Sequence, residues 1–484
     1  MKMSPLFSLH CLSRWARLMA CACLLWGQAA VAQTDQINHP RNQPEPYALD
    51  LYAVWQLAFT HDANYKAAIS QFGASQAQKN ISRAGLLPQI SGSYSDRRVK
   101  GWRERPGFFG GVQRSDLRYD STNLHVQLRQ PLLNYPRWAE YQRGIAVAEQ
   151  GHAQLAIAQQ KNSLQVAQNY FNVLLARVDL DEQQQRVHYL EQRVTAFERL
   201  RIKDNATEVD LVETQARLAI AQAEWLRAQD QLRTAARQLQ AQIGIRPEWI
   251  KQLDDRVTAT PLTVDLGQLQ DRARQHNREI QAAKQQVAIA KARLENARSQ
   301  YFPALDLVAT AGKGDSEDLT TLSQRTNTFT IGLQLQIPLF AGGYTTAITT
   351  QGRYQLQQAE HLYQRALGQV DTEVARLYHQ YQSGIEQVAA QKQAMKSSQI
   401  SLDSVEKSFS VGAASNLDVL DAKDQLSETR YEYHKAQLTV LQSRLELAAM
   451  VGDALHQPVQ QMSERFFGSG ASVVGLELSS LWSM

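Results

Sequence analysis

Two stripes of apolar residues run through the chain at seven-residue spacing. One comprises Val166, Val173, Leu180, Val187 and Val194; the other comprises Val374, Tyr381, Val388, Met395, Leu402 and Phe409. Such a spacing keeps the side chains on one helix face and makes a coiled-coil seam. Gln, Ala, Arg and Glu fill the positions between, which favours helix and a wet outer face. The stripes predict two helices of about 65 residues, near 135–201 and 343–409. At 1.5 Å per residue each is roughly 100 Å long. No globular domain holds such a helix, so each must lie along other long helices. Helices of about 37 residues are expected near 48–84, 208–244, 263–299 and 416–452.

Elsewhere the period is two. Leu124, Val126 and Leu128 alternate with Asn123, His125, Gln127 and Arg129; Phe329, Ile331, Leu333, Leu335 and Ile337 alternate with Thr330, Gly332, Gln334 and Gln336. This predicts strands with one apolar and one polar face, in β regions near 88–132 and 303–339. A soluble sandwich strand has the same pattern. Here each half of the chain holds one strand pair and no second sheet to cover the apolar face. In lipid that face needs no protein partner, and the polar face can line water. Tyr135, Trp138, Tyr301, Phe302, Phe340 and Tyr344 stand where strands meet helices. Aromatics there suit either a membrane-interface girdle or core packing.

The two halves repeat one another. Val126-Gln127-Leu128-Arg129-Gln130-Pro131-Leu132-Leu133 matches Leu333-Gln334-Leu335-Gln336-Ile337-Pro338-Leu339-Phe340, and Val209-Asp210-Leu211 matches Leu417-Asp418-Val419. Each half reads helix, strand pair, very long helix, helix. The expected organisation is a leader at 1–32, a first repeat at 33–244, a linker at 245–262, a second repeat at 263–452 and a tail at 453–484. Linker and tail are expected to be irregular, broken by Pro247, Pro261 and Pro458.

The leader reads as a secretory signal: Arg14 and Arg17, an apolar run from Leu18 to Trp26, and Ala30-Val31-Ala32 before Gln33. The run is too short for a membrane anchor. Leu18-Met19-Ala20-Cys21 resembles a lipobox, but it follows Arg17 too closely for a hydrophobic segment to precede it. All three cysteines (Cys11, Cys21, Cys23) lie in the leader, so no disulfide or thiolate site is expected after it. The leader also carries three cations and no acid, which takes the formal charge of +4 to +1 for the rest. That is not the clustered basic profile of a nucleic-acid binder. No later segment is long and apolar enough to span a membrane as a helix. The open compartments are the periplasm, the medium, or the outer membrane as a barrel.

Two hairpins give four strands per chain, which cannot close, and open edges are not tolerated in lipid. Two copies would give eight strands with a filled interior, and three would give twelve with a lumen. Gly312-Lys313-Gly314 lacks phosphate-loop spacing and is expected in an extracellular loop. The chain carries no His-Glu-x-x-His, dinucleotide fingerprint or Gly-x-Ser-x-Gly, so no enzyme, cofactor or metal centre is expected.

The duplicated order, Leu87-Pro88-Gln89, Asn169-Tyr170-Phe171-Asn172-Val173-Leu174, and Ser410-Val411-Gly412 through Leu417-Asp418-Val419-Leu420-Asp421-Ala422 together resemble the TolC family of outer-membrane efflux and secretion channels. The resemblance implies a mainly α fold with a transmembrane β part. It implies a homotrimer whose four strands per chain complete a β-barrel in outer-membrane lipid, above a long antiparallel coiled-coil helical barrel in the periplasm. A belt from the linker and the termini would surround its middle. It implies passive export with a periplasmic adaptor (membrane fusion) protein and an inner-membrane transporter, ABC or proton-driven. Type I protein or toxin secretion leads. Multidrug or small-molecule efflux is the alternative, and a periplasmic coiled-coil scaffold is a further one. The resemblance places Asp418, Asp421 and their first-repeat counterpart Asp210 at a periplasmic constriction, and Val411, Gly412 and Asn205 at an adaptor-contacting tip. The residues alone allow a plainer reading: a solvated first helical turn and a helix–helix turn N-capped by Ser415 or Asn416. Position 414 is alanine where some relatives carry a basic latch residue; Arg199, Arg201 and Lys203 are nearby candidates for gate ion pairs.

Overall fold

The computed structural model describes residues 48–106, 110–201, 208–254, 256, 258–316, 324–468 and 470–476. The expected leader and Asn205 lie outside these described residues. The elements run α1 (Leu51–His61), α2 (Ala63–Ala84), β1 (Gln89–Pro106), β2 (Val112–Asn134), α3 (Tyr135–Arg201), α4 (Glu208–Ile243), β3 (Trp249–Lys251), α5 (Leu266–His276), α6 (Arg278–Ser299), β4 (Ala304–Ser316), β5 (Gln324–Gln336), α7 (Tyr344–Ser410), α8 (Asn416–Val451), α9 (His456–Phe466) and β6 (Val473–Gly475).

The seven-residue stripes become the seams of α3 and α7, each 67 residues long. Val166, Val173, Val374 and Tyr381 are fully buried, Leu180 and Leu402 nearly so, and Val187, Val388, Met395 and Phe409 are half-buried. α3 packs against α2, α4, α6 and α8, and α7 packs against α6 and α8.

The first helix of each half departs from expectation, being two helices. Asp62 accepts from the Tyr65 amide and starts α2; Asn277 accepts from the Glu279 and Ile280 amides and starts α6. A short polar side chain that bonds to the amides ahead of it offers the backbone an alternative to continuing the helix.

Linker and tail are also more ordered than expected. β3 pairs with β6, and Leu49 bonds to both sides of Ile250 through the Trp249 carbonyl and the Lys251 amide. Three-residue strands are too short for alternation to reveal. Two tyrosines on the long helices pin this segment: Tyr170 donates to the Lys251 carbonyl at 2.7 Å and Tyr381 to the Thr260 carbonyl at 2.8 Å. Tyr170 is fully buried, edge-on to Phe467, and burial holds its phenol well above the ordinary value. Beside it, Asn169 donates to Gln242 at 2.8 Å. The Asn169–Leu174 motif thus anchors the middle of the helical body.

The four long strands form one antiparallel sheet in the order β1-β2-β4-β5. Its register sorts the side chains into two kinds of row. Ile90, Leu128, Ala309 and Ile331 align across all four strands, as do Gly92, Val126, Ala311 and Phe329. The intervening rows are Ser91, Gln127, Thr310 and Thr330, then Ser93, His125, Gly312 and Thr328. One face is apolar and the other is polar. The apolar face has no cover among the described residues: Ile90 is 70% exposed, Phe329 73% and Leu333 66%. Gly312-Lys313-Gly314 lies within β4 rather than in a loop, because its glycines sit in the narrow polar rows opposite His125 and Asn123. Arg129 and Asp306 form an ion pair that ties β2 to β4 near the helical end, with the aspartate buried.

Candidate functional site

The α7–α8 turn is the tip where the sequence places its site. α7 ends at Ser410, and Gly412 takes φ 77°, a left-handed conformation that glycine adopts without strain. Its amide bonds to the Phe409 carbonyl, and that of Ala413 bonds to the Ser408 carbonyl. This closes the helix and leaves Val411 78% exposed. Ser415 then caps α8. Its hydroxyl accepts from the Asp418 amide at 3.1 Å, while the Asp418 carboxylate accepts from the Ser415 amide at 2.8 Å. This reciprocal capping box satisfies two otherwise unpaired amides. The Ser415 hydrogen bonds hold the Asp418 carboxyl below the ordinary carboxylate value.

Asp421, one turn further along, does something different. It accepts from Arg217 of α4 at 2.9 Å. Arg217 also reaches Asp424 at 3.4 Å. Arg186 of α3 donates to Asp424 at 3.0 Å and pairs with Glu224 of α4. Two arginines and three carboxylates thus join α3 and α4 of the first repeat to α8 of the second. Asp424 is the hinge of this network. Burial raises its carboxyl above the ordinary value, and the two arginines pull against that shift without overcoming it.

A second junction lies beside the turn. Arg193 of α3 donates to the Asn416 side chain at 2.7 Å and stacks its guanidinium 4.4 Å from the centre of the Phe409 ring. Asn416, buried, also donates to Thr214 of α4 at 3.0 Å. One arginine therefore holds the end of α7, the start of α8 and, through Asn416, α4.

Of the expected carboxylates, Asp421 meets a first-repeat arginine and Asp418 serves its own helix cap. Asp210 stands half-buried in the first turn of α4, its carbonyl accepting from the Thr214 hydroxyl. Arg199 is exposed, and Lys203 and the Arg201 side chain lie outside the described residues. At the tip, Arg186, Arg193 and Arg217 bridge the repeats. A signal for them was present: Arg186 and Arg193 are seven apart and precede the stripe residues Val187 and Val194, while Arg217 and Glu224 are seven apart on α4. Val209 (72% exposed) and Val212 (57%) extend the apolar surface at the α4 end of the tip. Among the described residues no group of His, Cys, Asp and Glu is arranged to hold a metal ion, and no helix is long and apolar enough to cross a membrane.

Comparison with known proteins places this architecture. The family model described as outer membrane efflux protein matches residues 54–245 and 269–453. The chain is 28% identical over 400 residues to the alkaline protease secretion protein AprF of Pseudomonas aeruginosa, covering 80% of this chain and 83% of that one. It is 27% identical over 432 residues to the proteases secretion protein PrtF of Dickeya chrysanthemi, covering 87% and 91%. The crystal structure of the Campylobacter jejuni CmeC outer membrane channel superposes with a TM-score of 0.72 at 15% identity, over 86% of this chain and 89% of that one.

Proposed function

The chain belongs to the outer membrane efflux protein family, and we propose that it is the exit duct of a type I protein-secretion system. The family is one of outer-membrane channels, not enzymes, and its members sit in the outer membrane and extend into the periplasm. The observation that carries the proposal is the likeness to two protease secretion proteins over at least four-fifths of this chain. In this reading three copies join β5 of one to β1 of the next, and twelve strands close with the polar rows inward. The duct supplies no energy. A periplasmic adaptor would seat on the tip around Val411, Gly412, Val209 and Val212, and an inner-membrane transporter of the ABC type would drive the cargo. Asp421, Asp418 and Asp210 would ring the periplasmic entrance, with Arg217, Arg186 and Arg193 setting how readily it widens.

Deleting the gene and assaying culture supernatants for secreted protease, alongside drug sensitivity, tests this directly. Loss of the secreted protein with unchanged drug tolerance is expected. Normal secretion with heightened drug sensitivity would reverse the assignment in favour of small-molecule efflux, the reading favoured by the name of the family model.

A further inference from the structure

The first hairpin is longer than the second. β1 and β2 span 18 and 23 residues, against 13 each for β4 and β5. Beyond the pairing of Ser121 with Ser316, β1 and β2 continue with no third strand among the described residues, as a two-stranded ribbon in unbroken register as far as Pro106 opposite Val112. The apolar face can therefore be followed into the ribbon by counting in twos. After Tyr94 and Leu124 come Asp96 and Thr122, Arg98 and Asp120, Lys100 and Arg118, then Trp102 and Asp116.

In these rows three acids and three cations balance in number, but they are not paired row by row. Arg98 pairs with Asp120 at 2.7 Å, and in the sheet below Arg325 pairs with Asp315 at 2.9 Å. Lys100 and Arg118 face one another directly across the strands, both exposed, and neither has an ion-pair partner among the described residues. Directly opposed like charges oppose strand pairing, so this pair is intelligible if an anion sits between them. The next row carries Trp102 with the Arg114 guanidinium 4.3 Å over its ring, an aromatic of the kind that lies at the polar edge of a bilayer. Six residues separate Leu124 from Arg118, about 20 Å along a strand and less along the normal of a tilted barrel. In the barrel reading this is the side turned to lipid, and the pair stands beyond the last apolar row, outside the hydrocarbon.

We propose that Lys100 and Arg118 form a binding site for the phosphate groups of an outer-leaflet lipid, holding the ribbon against the membrane surface. The site is continuous with the lipid-facing side of the sheet and matches a phosphate in charge. The proposal rests on the barrel reading of that sheet. The barrel is checked separately by whether each variant still assembles as a heat-dissociable trimer and still supports export.

The test is retention of bisphosphorylated lipid A by the purified full-length trimer, measured by native mass spectrometry. Two variants are compared: Lys100→Gln with Arg118→Gln, and Lys100→Glu alone. The second creates an internal ion pair with Arg118, so it should fold at least as well as the parent while losing the lipid. Each cation near an anionic surface contributes enough that removing both should weaken retention about thirtyfold. Dephosphorylated lipid A should be held no better by the parent than by the variants. Equal retention by parent and Lys100→Glu would overturn the proposal. So would equal retention of phosphorylated and dephosphorylated lipid. Displacement of the lipid by millimolar inorganic phosphate would also overturn it, since the site would then serve free phosphate.

Discussion

Arg217→Gln is the most direct way to ask whether the ion pairs at the tip act as a latch. Arg217 holds Asp421 at 2.9 Å and Asp424 at 3.4 Å, and both carboxylates belong to α8 while the arginine belongs to α4. The Asp421 carboxylate is 61% exposed, so solvent screens that pair to about 0.5 kcal/mol. Asp424 is half-buried, and losing one of its two arginines leaves a partly desolvated charge, which costs about 1 kcal/mol more. A sum of about 1.5 kcal/mol per protomer is roughly tenfold in an equilibrium. If three protomers open together, the shift approaches a thousandfold. In planar bilayers the parent and Arg217→Gln should differ in single-channel conductance or open probability, the variant being the more open. The contrast should shrink in high salt, because the Asp421 share is screened. Arg233→Gln is the control: it sits on the same helix, and its one ion pair among the described residues is with Asp230, three residues away. An Arg217→Gln channel that behaves like Arg233→Gln would refute the latch.

Other outcomes follow from the same contacts. Asp418→Ala with Asp421→Ala should reduce cation selectivity in bilayers; reversal potentials identical to the parent would remove both from the constriction. Arg193→Gln should loosen the turn by about 2 kcal/mol through the lost Asn416 bond and Phe409 stacking, read as faster proteolysis between α7 and α8 with an unchanged melting temperature of the middle belt. The tip has a pH signature whose sign differs for its two shifted carboxyls. Asp424 has a raised value, so the folded tip binds its proton more tightly than the unfolded chain does. Acidification through the range just above ordinary carboxylates therefore does not weaken the tip. Asp418 has a lowered value, so its capping contribution is intact above the ordinary carboxylate value and is lost as pH falls below it. Amide exchange at Val419 and Leu420, corrected for intrinsic rates, should stay flat or slow from pH 6 to about 4 and quicken only below that. Quickening that begins near pH 6 would contradict the assignment.

What could be read from the sequence and what could not divide along a physical line. The seven-residue stripe from Val374 to Phe409 and the alternation from Phe329 to Ile337 announced α7 and β5, because burial against a neighbour or exposure to lipid repeats with the period of the element itself. The Asp62 and Asn277 breaks were missed because each rests on one side chain capturing amides ahead of it, a local event that leaves the apolar period undisturbed. β3 and β6 were missed because their partners lie more than 200 positions apart and each strand is three residues long. The tip shows the sharper limit. The resemblance singled out Asp418 and Asp421 together, three apart on one helix. The structure gives them different work, since one carboxylate closes its own capping box and the other crosses to α4. Spacing on a single helix says which side chains share a face. It does not say which residue of another helix that face meets. Here the answer depends on α3 lying between α4 and α8, which brings Arg186, Glu224 and Asp424 together across 238 residues of sequence. Arg186 and Arg193 occupy the heptad positions beside the seam of α3, where a coiled coil places the charges that choose its neighbours. In this protein those charges choose between the two repeats of one chain. A latch drawn from seam-flanking positions can be loosened without disturbing the apolar stripe that keeps the long helices together, which is the property a tip needs if it is to open while the rest of the tunnel stays folded.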